Sequence, residues 1–360
     1  AIAQVLGLGR LQSLLDDSEI SDIHVRGCAP VWVKQRNGTR QMVAPVVDTD
    51  DELIELIRRA ATRMGRTERR FDAATPELNL QLPDGSRLFA TMEVSARPSL
   101  VIRRHRFEIS TLSELRSRGL FDETLEDFFA AAVSAKRNIV IAGGTGSGKT
   151  TLLRALINEV SASERIVTIE DAYELGLDRF EDLHPDHDAL QSRPANIEGR
   201  GEITLADLTR MALRMDPARV IVGEVRGAEA FPMLMAMSQG NNGSMCTMHA
   251  DSTRSVFPKL AAYVSMASTG LPVETVNLLV ASAIHFVVYI DNTNSVRRVT
   301  SVREVVDSEG STIVSNEIFH LNIEDGLVTG FPLREHTRKL LAAHGLGTHT
   351  SSVPKIENAS

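Results

Sequence analysis

The sequence predicts an α/β fold in two unequal units, on three observations. Its 360 residues exceed the usual size of a single domain. The first hundred residues read as helices and alternating strands of a mixed sheet, whereas from Ser110 onward helices alternate with short apolar strands, the pattern of βαβ units around a parallel sheet. A glycine-rich loop stands between one of those strands and the helix after it. The boundary is expected near His105 to Ile109, giving an N-terminal α/β domain over residues 1–106, a larger α/β domain over 107–347, and a loose tail of small polar residues over 348–360.

The elements follow in order. Apolar residues recur at helical spacing from Ile2 to Leu15, and Asp22 to Arg26 and Val31 to Lys34 alternate as strands around the turn at Gly27 to Pro30. Thr49 to Met64 reads as a helix capped by Thr49 or Asp50; Leu78 to Leu82 is a strand closed by the Pro83-Asp84-Gly85 turn. Ser86 to Val94 and Leu100 to Arg104 complete the first sheet. The second unit takes its strands from Asn138 to Ala142, Arg165 to Glu170, Arg219 to Glu224, Ser244 to His249 and His285 to Ile290, with a last helical piece at Phe331 to Gly345.

Composition narrows the classes. With 42% hydrophobic and 24% charged residues, neither disorder nor a fibrous repeat is indicated. A net charge of −8 opposes general attraction to nucleic acid, which clustered Lys and Arg would drive, so no specific nucleic-acid partner is expected. Cys28 and Cys246 are the only cysteines and lie far apart, which excludes a disulfide framework or zinc ribbon and fits a reducing, cytoplasmic setting. The longest apolar stretch, Val276 to Ile290, is broken by Asn277, Ser282 and His285 and falls short of the roughly 18 residues that a membrane span needs. No charged-then-apolar leader follows Ala1, so a signal peptide is not expected. His184 and His187 sit in an acidic, proline-containing loop and read as a solvated surface rather than a metal pair.

The strongest motif is Gly143-Gly144-Thr145-Gly146-Ser147-Gly148-Lys149-Thr150, which fits G-x-x-x-x-G-K-[ST] in the required context of an apolar strand before and a helix, opening at Thr151, after. Backbone N–H groups of such a loop turn inward onto a phosphate chain at a helix N-terminus, a path that a Cβ would obstruct. Lys149 would neutralise the β- and γ-phosphates and the Thr150 hydroxyl would ligate Mg²⁺, so ATP and Mg²⁺ are the expected ligands.

Cleaving a phosphoanhydride also needs a carboxylate near the metal and a group to orient or deprotonate water. Val220 to Glu224 is an apolar strand ending in an acid, like a Walker B segment with Gly223 where aspartate is usual, which leaves Glu224 to act at Mg²⁺. Ile166 to Asp171 delivers Glu170 and Asp171 to a strand end, the edge where open α/β sheets bind ligands. Taken singly, such acids would be read as helix caps or solvated loops.

Together these segments resemble the secretion ATPase superfamily of type II and type IV systems, especially its tight-adherence (Flp) pilus branch, over roughly residues 15 to 305. The resemblance is carried by Gly143 to Thr151, Thr168 to Leu175, Arg193 to Gly199, Ala212 to Met215, Val222 to Gly227 and Gly243 to Ala250. It implies a small PAS-like N-terminal domain, a RecA-like P-loop domain, Glu170 as the water-orienting base, Glu224 as the Walker B carboxylate and His249 as the γ-phosphate sensor. It also makes Arg87 and Arg103 candidate arginine fingers, for which a solvated guanidinium on a strand is the plain alternative. Asn241 departs from the histidine usual after the first glycine of its loop. The absence of a cysteine-rich insert favours the compact branches over the zinc-bearing extension ATPases.

The resemblance implies a homo-hexameric motor at the cytoplasmic face of the inner membrane, driving a platform protein as ATP turnover changes the angle between domains. Two other classes stay open: a DNA translocase of the same fold, and a nucleotide-sensing scaffold without useful turnover, which would need neither Glu170 nor Glu224. Small-molecule kinases rank last, for want of a lid and an acceptor pocket.

Overall fold

Residues 8–64, 70–82, 84–104, 110–196, 198–293, 296–321 and 328–347 are described by the computed structural model of the protein. The expected start of the first helix, the boundary at His105 to Ile109 and the C-terminal tail lie outside them. Among the described residues, one unit holds the chain through Arg104 together with Ala172–Glu174 and Arg193–Ile203, and the second holds the remainder.

The first unit opens with α1 (Leu11–Asp16), followed by β1 (Ile20–Arg26), β2 (Val31–Gln35), β3 (Arg40–Val43), α2 (Asp50–Met64), β4 (Glu77–Gln81), β5 (Arg87–Thr91) and β6 (Ser99–Arg103). The strands form one sheet in the order β3-β2-β1-β6-β5-β4, with every neighbouring pair antiparallel. Period-2 alternation sends Ile23, Val25, Val31, Val33, Leu88, Leu100 and Ile102 to one face, where they bury with Leu53, Ile57 and Ala60 of α2. Thr49 caps α2, its Oγ1 accepting from the Glu52 amide at 3.1 Å.

The second unit runs α3 (Leu112–Ser117), α4 (Glu123–Ser134), β7 (Ile139–Gly143), α5 (Lys149–Asn158), β8 (Ile166–Glu170), β9 (His187–Gln191), α6 (Leu205–Ala212) and β10 (Arg219–Val225). It continues through α7 (Ala230–Ser238), β11 (Met245–Met248), α8 (Val256–Met266), α9 (Val273–Ala283), β12 (Phe286–Thr293), β13 (Val296–Glu309), β14 (Thr312–Leu321), β15 (Val328–Thr329) and α10 (Glu335–Ala343). Nine strands make one sheet in the order β15-β14-β13-β12-β7-β11-β10-β8-β9. The six from β12 to β9 are parallel, and β13 to β15 add an antiparallel edge. Every residue of β7, β8 and β11 is buried, which is why these strands are mostly apolar on both faces rather than alternating, with Thr168, Glu170 and Thr247 as the buried polar exceptions.

The apolar stretch Val276 to Ile290 is divided between α9 and β12, and among the described residues no helix is long and apolar enough to cross a membrane, as the polar interruptions of that stretch led one to expect. One expectation needs correction. His184 is not part of a solvated surface: it is only 3% exposed, beside Arg154, Ile157, Asn158, Leu177 and Phe180, because its loop folds under α5.

One buried amide fixes the register at the N-terminal edge of the parallel strands. Asn138, wholly buried, donates to Met237 O at 3.0 Å and Ala283 O at 2.5 Å, and its Oδ1 accepts from the Gly243 and Ser244 amides at 2.8 and 3.0 Å. Its own amide donates to His285 Nδ1 at 2.9 Å, so that ring must be neutral at Nδ1. Burial, reinforced by the charges of Arg137 and Arg334, holds the His285 pKa down to about 4. A histidine depressed in the folded state favours folding fully above its ordinary value near 6.5 and loses that contribution as pH falls toward 4, because the unfolded chain takes up the proton first. Thermal unfolding between pH 7 and pH 4.5 is expected to show an acid-side loss of about 2 kcal/mol from this group. In His285→Gln, whose amide oxygen can still accept from Asn138, the acid-side slope should shrink; an unchanged slope would refute the assignment.

Candidate active site

The phosphate loop joins β7 to α5 along a path only glycine permits. A Cβ on Gly143 would stand 2.6 Å from both Ile290 O and Ser147 Oγ, and Gly148, the cap of α5, takes φ +103°. The Ser147 hydroxyl is buried inside this cradle with no hydrogen-bond partner among the described residues, a cost that a phosphate oxygen would remove. Lys149 is 7% exposed and folds back on the loop, donating to Gly143 O at 3.0 Å and Gly144 O at 2.7 Å. Those carbonyls hold an ammonium where phosphate oxygens would meet it. Thr150 and Thr151 follow in the first turn of α5. The residues present therefore fit a nucleotide polyphosphate.

Parallel pairing brings the acids to the same edge. β8 pairs with β10 and β10 with β11, and β11 lies beside β7, so Glu170, Glu224 and His249 emerge at the C-terminal ends of adjacent strands. Glu170 is 3% exposed, and its Oε1 accepts from the Leu175 amide at 2.8 Å, which fixes the carboxylate at the strand end. Gly223 has a packing reason: a Cβ there would lie 3.1 Å from Glu170 Cγ, so the glycine that departs from a usual Walker B makes room for the neighbouring strand's acid. Between Val222 and Val225 the β10–β11 register shifts, and Thr247 fastens that irregularity, donating from Oγ1 to Gly223 O at 2.6 Å.

Glu224 Oε1 and His249 Nε2 are 2.8 Å apart. Burial and the nearby Lys149 charge lower the His249 pKa, outweighing the pull of Glu224, so the contact is a neutral imidazole N–H donating to a carboxylate. The histidine is thus coupled to both Lys149 and Glu224. Mg²⁺ would be held by the Thr150 hydroxyl, Glu224 and phosphate oxygens, screening charge on the transferring group.

Sequence reasoning gave no role to Arg226 or Glu229, and offered Asp171 only as a second strand-end acid. Arg226 Nη2 pairs with Asp171 Oδ2 at 2.5 Å, and Asp171 also accepts from Ser192 Oγ at 2.7 Å, tying the ends of β10, β8 and β9 together. Glu229, 6% exposed, accepts from the Arg226 and Gly227 amides at 2.6 and 2.9 Å and fixes the turn after Glu224. All three lie in or beside the motifs, but only their strand-end geometry reveals what they touch. The departure at Asn241 is likewise structural, its side chain donating to Pro217 O at 2.6 Å.

Arg87 and Arg103 face each other across the β5–β6 pair in the first unit. Arg87 Nη2 binds Glu174 Oε1 at 2.7 Å, within that unit; Arg103 stays exposed. The structure thus gathers Lys149, Thr150, Glu170, Glu224 and His249 on one edge of the nine-stranded sheet and places the two arginines side by side on the sheet of the first unit.

A two-unit chain with a phosphate loop, strand-end carboxylates and a histidine around it defines a P-loop NTPase. The family described as type II/IV secretion system protein matches residues 5–315, and the chain belongs to it. A Mycobacterium tuberculosis (H37Rv) protein named for conjugal transfer is 34% identical over 303 residues, covering 82% of this chain and 83% of that one. The type IV secretion system protein PtlH of Bordetella pertussis is 33% identical over 311 residues, covering 79% and 89%. Among solved structures, the pilus retraction motor PilT with bound ADP superposes with a TM-score of 0.57 at 16% identity, covering 94% of this chain and 87% of that one. The Legionella pneumophila ATPase DotB gives 0.56 at 21% identity, covering 83% and 79%. The fold is accordingly that of the two-domain secretion ATPases, an N-terminal domain followed by a RecA-like domain.

Because Gly223 accommodates Glu170, Gly223→Ala is expected to displace that carboxylate and lower kcat for ATP hydrolysis roughly tenfold or more, while ADP affinity stays within about twofold of wild type. Parallel loss of ADP binding would show that the substitution disturbs the phosphate loop instead.

Proposed function

We propose that the protein is an ATP-hydrolysing motor subunit, working as a homo-hexamer at the cytoplasmic face of the inner membrane. It powers assembly of a tight-adherence (Flp) pilus, or type II/IV secretion, through a membrane platform protein. The observation that carries this reading is the single sheet edge on which Lys149, Glu170, Glu224 and His249 surround a loop built to hold phosphates. A binder needs the loop alone; a hydrolase needs the carboxylates as well.

In this reading Glu170 takes a proton from the attacking water, whose oxygen bonds to the γ-phosphorus as the bond to the bridging oxygen breaks and ADP leaves. Lys149 and the loop amides hold the leaving phosphates. Glu224 and Thr150 position Mg²⁺, and His249 senses whether the γ-phosphate is present. Arg87 and Arg103 act as arginine fingers from the N-terminal domain, with Arg87 exchanging Glu174 for phosphate; planar guanidinium suits either partner. Binding by one domain and release on γ-phosphate loss would convert turnover into hinge motion.

A second reading draws on the mycobacterial relative named for conjugal transfer, and makes DNA the cargo. Stimulation of turnover by DNA would favour it, whereas the net charge of −8 weighs against it.

The test is steady-state hydrolysis of Mg-ATP beside light-scattering mass for the wild type, Lys149→Ala and Glu170→Gln. A ring-sized wild type that turns over, with at least a hundredfold loss in each variant and ATP binding kept only in Glu170→Gln, is the expected result. Tight ATP binding without turnover in the wild type would instead establish a nucleotide-sensing scaffold.

A further inference from the structure

Arg297 stands beside the phosphate loop and has no part in the hydrolysis described above. β7 ends at Gly143, which pairs with Ile290 of β12, yet β12 runs on through Asp291 and Asn292 to Thr293, still paired with Arg298, Arg297 and Val296 of β13. The two strands thus continue for three residues, roughly 10 Å, past the point where the chain leaves β7 to form the loop. Asn292, Thr293, Val296, Arg297 and Arg298 are all exposed, so this extension adds nothing to the core.

Within the extension, Arg297 is the residue that turns back onto the loop. Its Cδ lies 3.6 Å from the position a Cβ would take on Gly148, so its aliphatic stem rests over the last glycine of the loop, the cap of α5. Across the strand pair it faces Asn292, and among the described residues no carboxylate pairs with its guanidinium and no side-chain hydrogen bond holds it. Left alone, this is an unfavourable place for an arginine. The N-terminus of α5 presents the positive end of its dipole, and Lys149 adds a charge one residue further on. An anion between the loop and the guanidinium replaces those repulsions with attraction.

We propose that Arg297 binds the α- and β-phosphates of the nucleotide, the part that remains as ADP, and so governs how firmly the product is held. Sheet order selects that end of the nucleotide. Glu170, Glu224 and His249 stand at the ends of β8, β10 and β11, all on one flank of β7, whereas β12 and β13 lie on the other. The γ-phosphate belongs with the carboxylates that would act on it, while the amides of a loop such as this one cradle the α- and β-phosphates. A planar guanidinium reaching from the opposite flank therefore meets the retained phosphates rather than the transferred one. Arg298, one step along β13, falls on the other face by strand alternation and takes no role. The inference rests on the nucleotide reading proposed above and is independent of turnover.

The whole protein is titrated calorimetrically with ADP and, separately, with inorganic pyrophosphate, as wild type, Arg297→Ala, Arg297→Lys and Arg298→Ala, beside steady-state hydrolysis of Mg-ATP. Arg297→Ala is expected to weaken ADP and pyrophosphate binding alike by roughly tenfold and to raise KM in step, with kcat within about threefold of wild type. Arg297→Lys keeps the charge but not the fork and should fall between, and Arg298→Ala should match wild type. Wild-type ADP affinity in Arg297→Ala overturns the proposal. So does a loss confined to ADP, which would set the guanidinium on the nucleoside, or a roughly hundredfold fall in kcat at unchanged ADP affinity, which would set it on the γ-phosphate. A lower melting temperature of ligand-free Arg297→Ala would make the residue a structural one and overturn the proposal as well. A wild type that binds ADP but does not turn over ATP would sink the motor reading and leave this one standing.

Discussion

The active-site edge depends on a hydrogen-bonded amide at the opposite end of the sheet. Asn138 spends both donors and both lone pairs of its side chain on α7, α9 and the start of β11, while its backbone N–H ties it to His285. A buried amide that is fully satisfied tolerates only one register, because any slip would leave several polar groups unpaired at a few kcal/mol each. Parallel strands transmit that register along their length, so Ile139 beside Met245 dictates Ala142 beside Met248, and hence how Gly143 stands relative to His249. Phosphate chemistry at one edge is positioned by polar satisfaction at the other.

At the site, the residue that looks like a departure proves to be a spatial requirement. A Cβ at position 223 would stand 3.1 Å from Glu170 Cγ, so any side chain there would press on the Glu170 carboxylate arm and shift it by a few tenths of an ångström. The acid has moved one residue along β10 to Glu224, where it meets a histidine kept neutral by burial and by Lys149. Neutrality would matter in the proposed hydrolysis, because an imidazolium there would compete with Lys149 and a bound Mg²⁺ for the same anions.

Much of this was legible in the sequence because it is local. The phosphate loop, the five apolar strands and the helix capped by Thr49 each declare themselves within a dozen residues. What stayed hidden depends on partners far away in the chain. β13 carries Arg303 and Glu304 in its middle, a charged pair that hides a core strand from its hydrophobic pattern, yet both are at least 97% buried. Glu304 is satisfied by Arg334 and Thr337 from thirty residues on, and Arg303 by Thr253 and Glu317. β9 is a half-exposed edge strand with the polar composition of a loop. His184 carried no sign of burial, since the helix that covers it is set by tertiary packing.

The first unit is not finished when its own stretch of chain is. Glu174, the partner of Arg87, and the bridge between Arg193 and Ile203 come from segments that leave the ribosome long after β6. At a synthesis rate of roughly 5–20 residues per second, the early sheet spends several seconds without them. Its core of Leu11, Ile23, Leu53 and Ile102 can assemble at once, while Arg87 waits for a carboxylate made eighty-seven positions later. A nascent chain arrested before that point would carry the sheet with this cation still unpaired by Glu174, which makes completion of the small domain a late event in the birth of the whole protein.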